Sequence, residues 1–252
     1  MAPRFAGTSL FYLSASGTGD GLWRVQDGKA SELSKGGDGG LSEPPAVSPD
    51  GSRVAIIIRP EGKRHLSIVS ADGRSSRTLV PSIEIEGAAN QGAADWSPDG
   101  NWIVTGGRDE QGQGLFKIPM DGGAPVRLVT GQAVNPVWSP DGTVIVYADK
   151  FFGGQVELLA VRPDGAPVKL PSVRTRPGGY RFLPNGTGLV YLPFIPSLDF
   201  WMVDFATKAH RQLTRLGNQG ALGTFDVTPD GKAIVFDRSR LNSDIVLIDL
   251  PK

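Results

Sequence analysis

A short turn recurs along this chain of 252 residues. Ser48-Pro49-Asp50-Gly51 returns as Ser97-Pro98-Asp99-Gly100 and Ser139-Pro140-Asp141-Gly142, and in weaker form as Leu183-Pro184-Asn185-Gly186 and Thr228-Pro229-Asp230-Gly231. Pro3-Arg4-Phe5-Ala6-Gly7 reads as a shortened copy. Between the turn glycines the steps are 44, 49, 42, 44 and 45 residues. Self-similarity at this period is the signature of a radial array of small sheets, one sheet per unit. The turn itself follows from backbone chemistry. Proline presets φ, aspartate bonds its own backbone, and glycine accepts a positive φ. An acidic turn repeated along a chain also admits a calcium reading, but hairpin geometry accounts for it without a ligand.

The order within each unit is constant. A short strand enters the turn and a β-branched strand leaves it: Val54–Ile58, Trp102–Thr105, Val144–Tyr147, Leu189–Leu192 and Ala233–Phe236. A third strand follows, as at Leu66–Val69, Leu115–Ile118 and Phe200–Val203, and a fourth ends near Leu33, Leu79, Leu128, Leu170 and Leu213. No helical period is sustained, so the sequence predicts an all-β chain. The expected architecture is a six-bladed β-propeller of four-stranded blades, forming one domain over 1–252. Its blades fall roughly at 1–35, 36–80, 81–130, 131–171, 172–214 and 215–252. The last unit provides three strands, ending at Ile245–Leu250, so the last blade lacks its fourth strand in this chain. That pattern suggests a piece of a longer protein whose preceding segment completes the ring. An exposed strand edge in blade six would otherwise invite pairing with another chain.

Composition limits the function. The chain is 39% hydrophobic, sufficient for a core, and its 26 Lys+Arg balance 26 Asp+Glu. Without a basic excess, nucleic acid is not an expected partner. Absence of cysteine excludes disulfides and thiolate chemistry. The clearest apolar run, Val54–Ile58, is far too short for a membrane-spanning helix, and the first residues carry no signal-like apolar stretch.

The five clear turns, together with Asp199-Phe200-Trp201-Met202-Val203-Asp204, Arg211-Gln212-Leu213-Thr214, Phe225-Asp226-Val227-Thr228-Pro229-Asp230-Gly231-Lys232 and Asn242-Ser243-Asp244-Ile245-Val246-Leu247-Ile248-Asp249-Leu250, carry a resemblance. The chain resembles the Pro-Asp-Gly class of WD40-like repeats, the class of the TolB propeller domain. Its C-terminal stretch is similar to propeller tails of bacterial receptor-like Ser/Thr kinases and winged-helix regulators. The resemblance implies a sensor or scaffold module of a larger bacterial protein, periplasmic or otherwise extracytoplasmic, with a cytoplasmic location still open. Any kinase activity would lie outside this chain, which has no kinase loop and no glycine-rich nucleotide motif.

Two groups of residues are candidates for binding a protein, a peptide or a small polar ligand. Loops after the second strand begin with Arg59, Arg108, Lys150, Phe194 and Arg238, and Phe151-Phe152 adjoin Lys150; they form either a rim of cations and rings or ordinary solvated loops. Nearer the axis, Asn90-Gln91 enters blade three and Asn218-Gln219 enters blade six. The same two blades place Asp95 and Asp226 five residues before the turn glycine, where blade five has Arg181 and blade one Arg4. These groups either line the channel mouth or pair with basic residues and backbone N–H groups between blades. His65 and His210 sit in no nucleophile or metal-ligand arrangement, so neither catalytic residues nor a cofactor is expected. The alternative is a metal-dependent hydrolase of lactonase or esterase type, with an axial metal near Asp95 and Asp226.

Overall fold

The computed structural model describes residues 3–14, 21–35, 41, 43–80, 82–86, 92–149, 154–193, 199–216 and 221–239. Among the described residues nearly all regular structure is antiparallel sheet, and the one helical turn is the 3-10 segment Pro60–Gly62. The sheets follow the repeat. Arg4–Ala6, Ser9–Ser14, Gly21–Gln26 and Lys29–Lys35 form the first, paired in sequence order as neighbouring hairpins. The second runs from Ala46–Val47 to Ser76–Leu79, the third from Ala94–Trp96 to Val126–Thr130, the fourth from Val134–Trp138 to Pro167–Val168 and the fifth from Tyr180–Phe182 to His210–Gln212. Two extra strands, Glu84–Ile85 on Trp102–Asp109 and Arg174–Thr175 on Val156–Val161, lengthen the third and fourth sheets. They lie in the connections between repeats and were not legible in the turn pattern.

The expected six blades, the last of three strands, are corrected to five complete blades among the described residues. The last repeat contributes a two-stranded sheet among the described residues, Ala221–Val227 paired with Ile234–Ser239. The third strand expected at Ile245–Leu250 lies outside them. The two-stranded sheet nonetheless occupies the gap in the ring. The innermost strands are neighbours in chain order, and Ala221–Val227 touches both Tyr180–Phe182 and Arg4–Ala6.

Packing explains why the middle strands read as unbroken apolar runs. Each sheet is covered on both faces by its neighbours, so alternation is lost and Val54–Ile57, Ile103–Val104 and Ile145–Ala148 are all buried. Ala46, Ile57 and Leu66 of the second blade interlock with Ile103, Phe116 and Ile118 of the third. The same arrangement repeats around the ring and ends with Val190 and Phe200 against Leu222 and Phe225. The rings of Phe200 and Phe225 meet edge to face, 4.9 Å apart. Blades approach so closely that a Cβ on Gly106 would collide with the carbonyl oxygen of Ala133 in the next blade.

The repeated turn closes by side-chain chemistry. The Ser48 hydroxyl donates to Asp50 at 2.5 Å and accepts from the Arg53 N–H at 2.9 Å, while Asp50 also accepts from the Ser52 N–H at 3.1 Å. The same network recurs at Ser97-Asp99-Trp102, Ser139-Asp141-Val144 and Thr228-Asp230-Ala233. These donors hold the Asp50 carboxyl down at about 2, with the Ser48 hydroxyl the largest cause, and hold Asp99, Asp141 and Asp230 low as well. The carboxylates are therefore saturated by their own hairpins, as the geometric reading requires. Asp99→Ala is expected to cost about 1 kcal/mol, by loss of the turn hydrogen bonds. Urea unfolding of the variant against the parent checks this, and an unchanged midpoint would remove the turn network from the account of stability.

Candidate functional site

The innermost strands enclose a cavity of about 220 Å³ lined by Arg4, Phe5, Gly92, Asp95, Asn135, Trp138, Arg181 and Asp226, among others. All four polar residues that the repeat register placed near the axis are therefore together. Each arrives from the strand preceding a turn: Arg4 in Arg4–Ala6, Asp95 in Ala94–Trp96, Arg181 in Tyr180–Phe182 and Asp226 in Ala221–Val227.

The two aspartates do the same job at opposite places in the ring. Asp95 Oδ2 accepts the backbone N–H of Trp138, in the next blade, at 2.7 Å. Asp226 Oδ2 accepts the backbone N–H of Phe5, in the first blade, at 2.9 Å, and its Oδ1 accepts from Val227 at 2.9 Å. Each is an inter-blade clasp on an inner-strand N–H that would otherwise be buried unpaired. Burial pushes the Asp95 carboxyl up to about 7, against the pull of the Trp138 and Trp96 N–H groups and of Arg4. Burial raises Asp226 too, opposed first by Arg4 and then by the Phe5 N–H. The Arg4 guanidinium is correspondingly lowered by burial, with Asp226 the foremost charge holding its proton.

The arginines are fixed by carbonyl groups. Arg4 Nη1 donates to Pro3 O at 2.6 Å and Phe225 O at 3.2 Å. Arg181 Nη1 donates to Tyr180 O at 2.6 Å, and its guanidinium carbon lies 6.0 Å from the Phe225 ring centroid. Both Nη2 atoms turn toward Gly92: a Cβ there would stand 3.4 Å from Arg4 Nη2 and 3.8 Å from Arg181 Nη2. Gly92 also has a φ of +88° and offers its carbonyl to Asn135 Nδ2 at 2.7 Å. Asn135, with φ +52°, accepts through its own carbonyl from the buried Tyr180 hydroxyl at 2.6 Å. Gly92, Asn135 and Tyr180 were not anticipated. Their signal is a positive φ or a buried hydroxyl, and neither follows a repeat of apolar letters.

The other expected positions divide. Asn90, Gln91, Lys150, Phe151, Phe152, Phe194, Asn218 and Gln219 lie outside the described residues. Arg59 is half-buried beside a second cavity, with Ile56, Ile58, Glu61 and Arg77, away from the axis. Arg108 is exposed and pairs with Glu86 at 3.0 Å, and Arg238 is exposed at the end of the last described strand. Arg59, Arg108 and Arg238 share no lining with the axial cavity. His210 Nδ1 lies 2.8 Å from the Tyr191 hydroxyl on an outer strand. Among the described residues no group of three or more His, Asp or Glu side chains is placed to hold a metal ion. No described helix is long and apolar enough to cross a membrane.

With this geometry established, comparison with known proteins adds the following. The family described as TolB beta propeller domain matches residues 7–194. No curated protein matches. Among solved structures, TolB from Acinetobacter baumannii superposes with a TM-score of 0.69 at 16% identity, covering 83% of this chain and 53% of that one. A TolB candidate of Agrobacterium tumefaciens gives 0.68 at 22% identity, covering 94% and 90%. An oligogalacturonate lyase in complex with manganese gives 0.64 at 16% identity, covering 93% and 68%. At such identities the structural likeness speaks for the fold alone. The chain spans about half the length of the Acinetobacter protein.

Proposed function

The chain belongs to the TolB beta propeller family, and from that premise we propose that it is a non-catalytic binding module whose partner engages the axial cavity. The observation that carries the reading is the convergence of Arg4, Asp95, Arg181 and Asp226, from four repeats, on one cavity in which backbone groups hold each side chain. Such a cluster is preorganised for a polar partner, since little side-chain freedom remains to be lost on binding. The two-stranded sheet at Ala221–Ser239 is read as the inner half of a sixth blade, within a single propeller domain. The module serves as a sensor or scaffold in a larger bacterial protein working outside the cytoplasm, and its partner is a protein, a peptide or a small polar molecule.

The rival reading is a metal-dependent hydrolase. Two propellers of like fold bring it forward, the lyase in complex with manganese for the metal and one described as a 6-phosphogluconolactonase for the reaction. Against it, Asp95 and Asp226 each commit an oxygen to the N–H of a neighbouring blade. The test is a displayed random-peptide library selected on the folded protein, followed by amide hydrogen exchange with a selected peptide bound. Added protection at Ala94–Trp96 and Tyr180–Phe182 is expected. Protection confined to the outer strands overturns the axial site, as does a library that yields no peptide when no small polar molecule binds either. Stoichiometric metal retained by protein purified without chelators would favour the hydrolase.

A further inference from the structure

The axial cavity holds two cations with unlike surroundings. Arg4 shares the cavity wall with Asp226, which accepts from the neighbouring Phe5 N–H and is the foremost charge acting on Arg4. Among the described residues Arg181 has no counter-charge in contact: its hydrogen bond goes to the Tyr180 carbonyl and its face to Phe225. Both carboxylates of the cavity are meanwhile turned onto backbone N–H groups. The Nη2 atoms of Arg4 and Arg181 both face the small space beside Gly92, where an added Cβ would stand 3.4 and 3.8 Å from them. Two guanidinium edges facing one small volume are the arrangement that takes a planar anion with two acceptor oxygens.

We propose that the space between Arg4 and Arg181 above Gly92 is a carboxylate-binding subsite. This rests on the binding reading above and names its chemistry. A carboxylate is favoured over a phosphate dianion because Asp95 and Asp226 line the same cavity, so a second negative charge would meet like charge at close range. The cavity, about 220 Å³, admits a small acid or the end of a chain and not a folded element. The carboxylate therefore belongs either to a free organic acid or to the C-terminus of a polypeptide.

The experiment is calorimetric titration of the whole chain with succinate, the tripeptide Gly-Gly-Ala, its C-terminal amide and inorganic phosphate. It is repeated on Arg181→Met and on the milder Arg181→Gln, each checked for folding by its thermal transition. Saturable binding of succinate or of the free tripeptide is expected, weakened about tenfold or more in both variants, with the amide and phosphate weaker still. Succinate alone identifies a free acid, and a tighter tripeptide identifies a chain end. Absence of binding by both acids, equal binding of acid and amide, tighter phosphate, or affinity unchanged in a folded variant each overturns the subsite. Library peptides that still protect the inner strands in Arg181→Met while these acids fail would leave the binding module standing without the carboxylate site.

Discussion

Replacing Asp226 by alanine is expected to destabilise the fold by about 2–4 kcal/mol. Two losses add. The Phe5 N–H, on the innermost strand of the first blade, loses its acceptor at 2.9 Å, and a buried donor without a partner costs about 1–3 kcal/mol. Arg4, half-buried on the cavity wall, also loses the charge that most favours its protonated form. Relief of the desolvated carboxylate offsets part of this, because Asp226 is itself raised by burial. The contact joins residues 221 positions apart, so it closes the ring between the last described sheet and the first. Asp226→Asn separates the two terms, since the amide oxygen still accepts from Phe5 while the charge facing Arg4 is gone. Urea denaturation of the parent and both variants checks the expectation. An alanine variant within about 0.5 kcal/mol of the parent would show that the ring does not depend on this clasp.

Much of this fold was written in one repeated turn. The turn spacing and the β-branched run after each glycine place the starts of the second strands within one residue of those of Arg53–Ile58, Trp102–Asp109, Ile145–Ala148, Gly188–Tyr191 and Ile234–Ser239, although the second and last of these run on four and three residues past the expected ends. The register also brought Arg4, Asp95, Arg181 and Asp226 to the axis, because equivalent positions in a radial array must point to the same place. What the letters could not give was direction. Asp95 and Asp226 occupy channel-lining positions but spend their oxygens on the next blade, a choice made by backbone donors that have no sequence signature. Gly92 and Asn135 were missed for the same reason: their part depends on a left-handed backbone and a close approach. Arg59, Arg108 and Arg238 hold equivalent places in the repeat but unlike surroundings. Equivalent loop positions repeat, yet Arg108 pairs locally with Glu86 while Arg59 lines a separate cavity. The count of blades differs at the last repeat, where the turn at Thr228–Gly231 opens a two-stranded sheet among the described residues and not the three strands expected.

Asp95→Asn is expected to act in the opposite direction and to depend on pH. Asp95 ionises at about 7 in the folded chain against an ordinary 3.8, with burial the dominant cause. Between those values the native state holds a proton that the unfolded chain has released, so stability falls as pH rises from about 4 to about 7 and levels off above. Three pKa units correspond to about 4 kcal/mol, an upper bound on the cost of the buried charge at pH 8. Asparagine keeps an acceptor for the Trp138 N–H and carries no charge, so the variant should match the parent near pH 4 and exceed it at pH 8 by a few kcal/mol. Arg4 does not reverse this sign, because its pull on Asp95 ranks below burial and both N–H contacts, whereas on Asp226 it is the leading opposing cause. Some decline with pH should persist in the variant through Asp226, which is raised as well. Below pH 4 both proteins should weaken together, as Asp50 and its counterparts in the other turns take up protons that the fold resists. Urea midpoints at pH 5 and pH 8 decide the matter: a variant that loses as much stability as the parent between them would mean that Asp95 is already ionised at pH 5, and that the axial cavity is wetter than its enclosing strands imply.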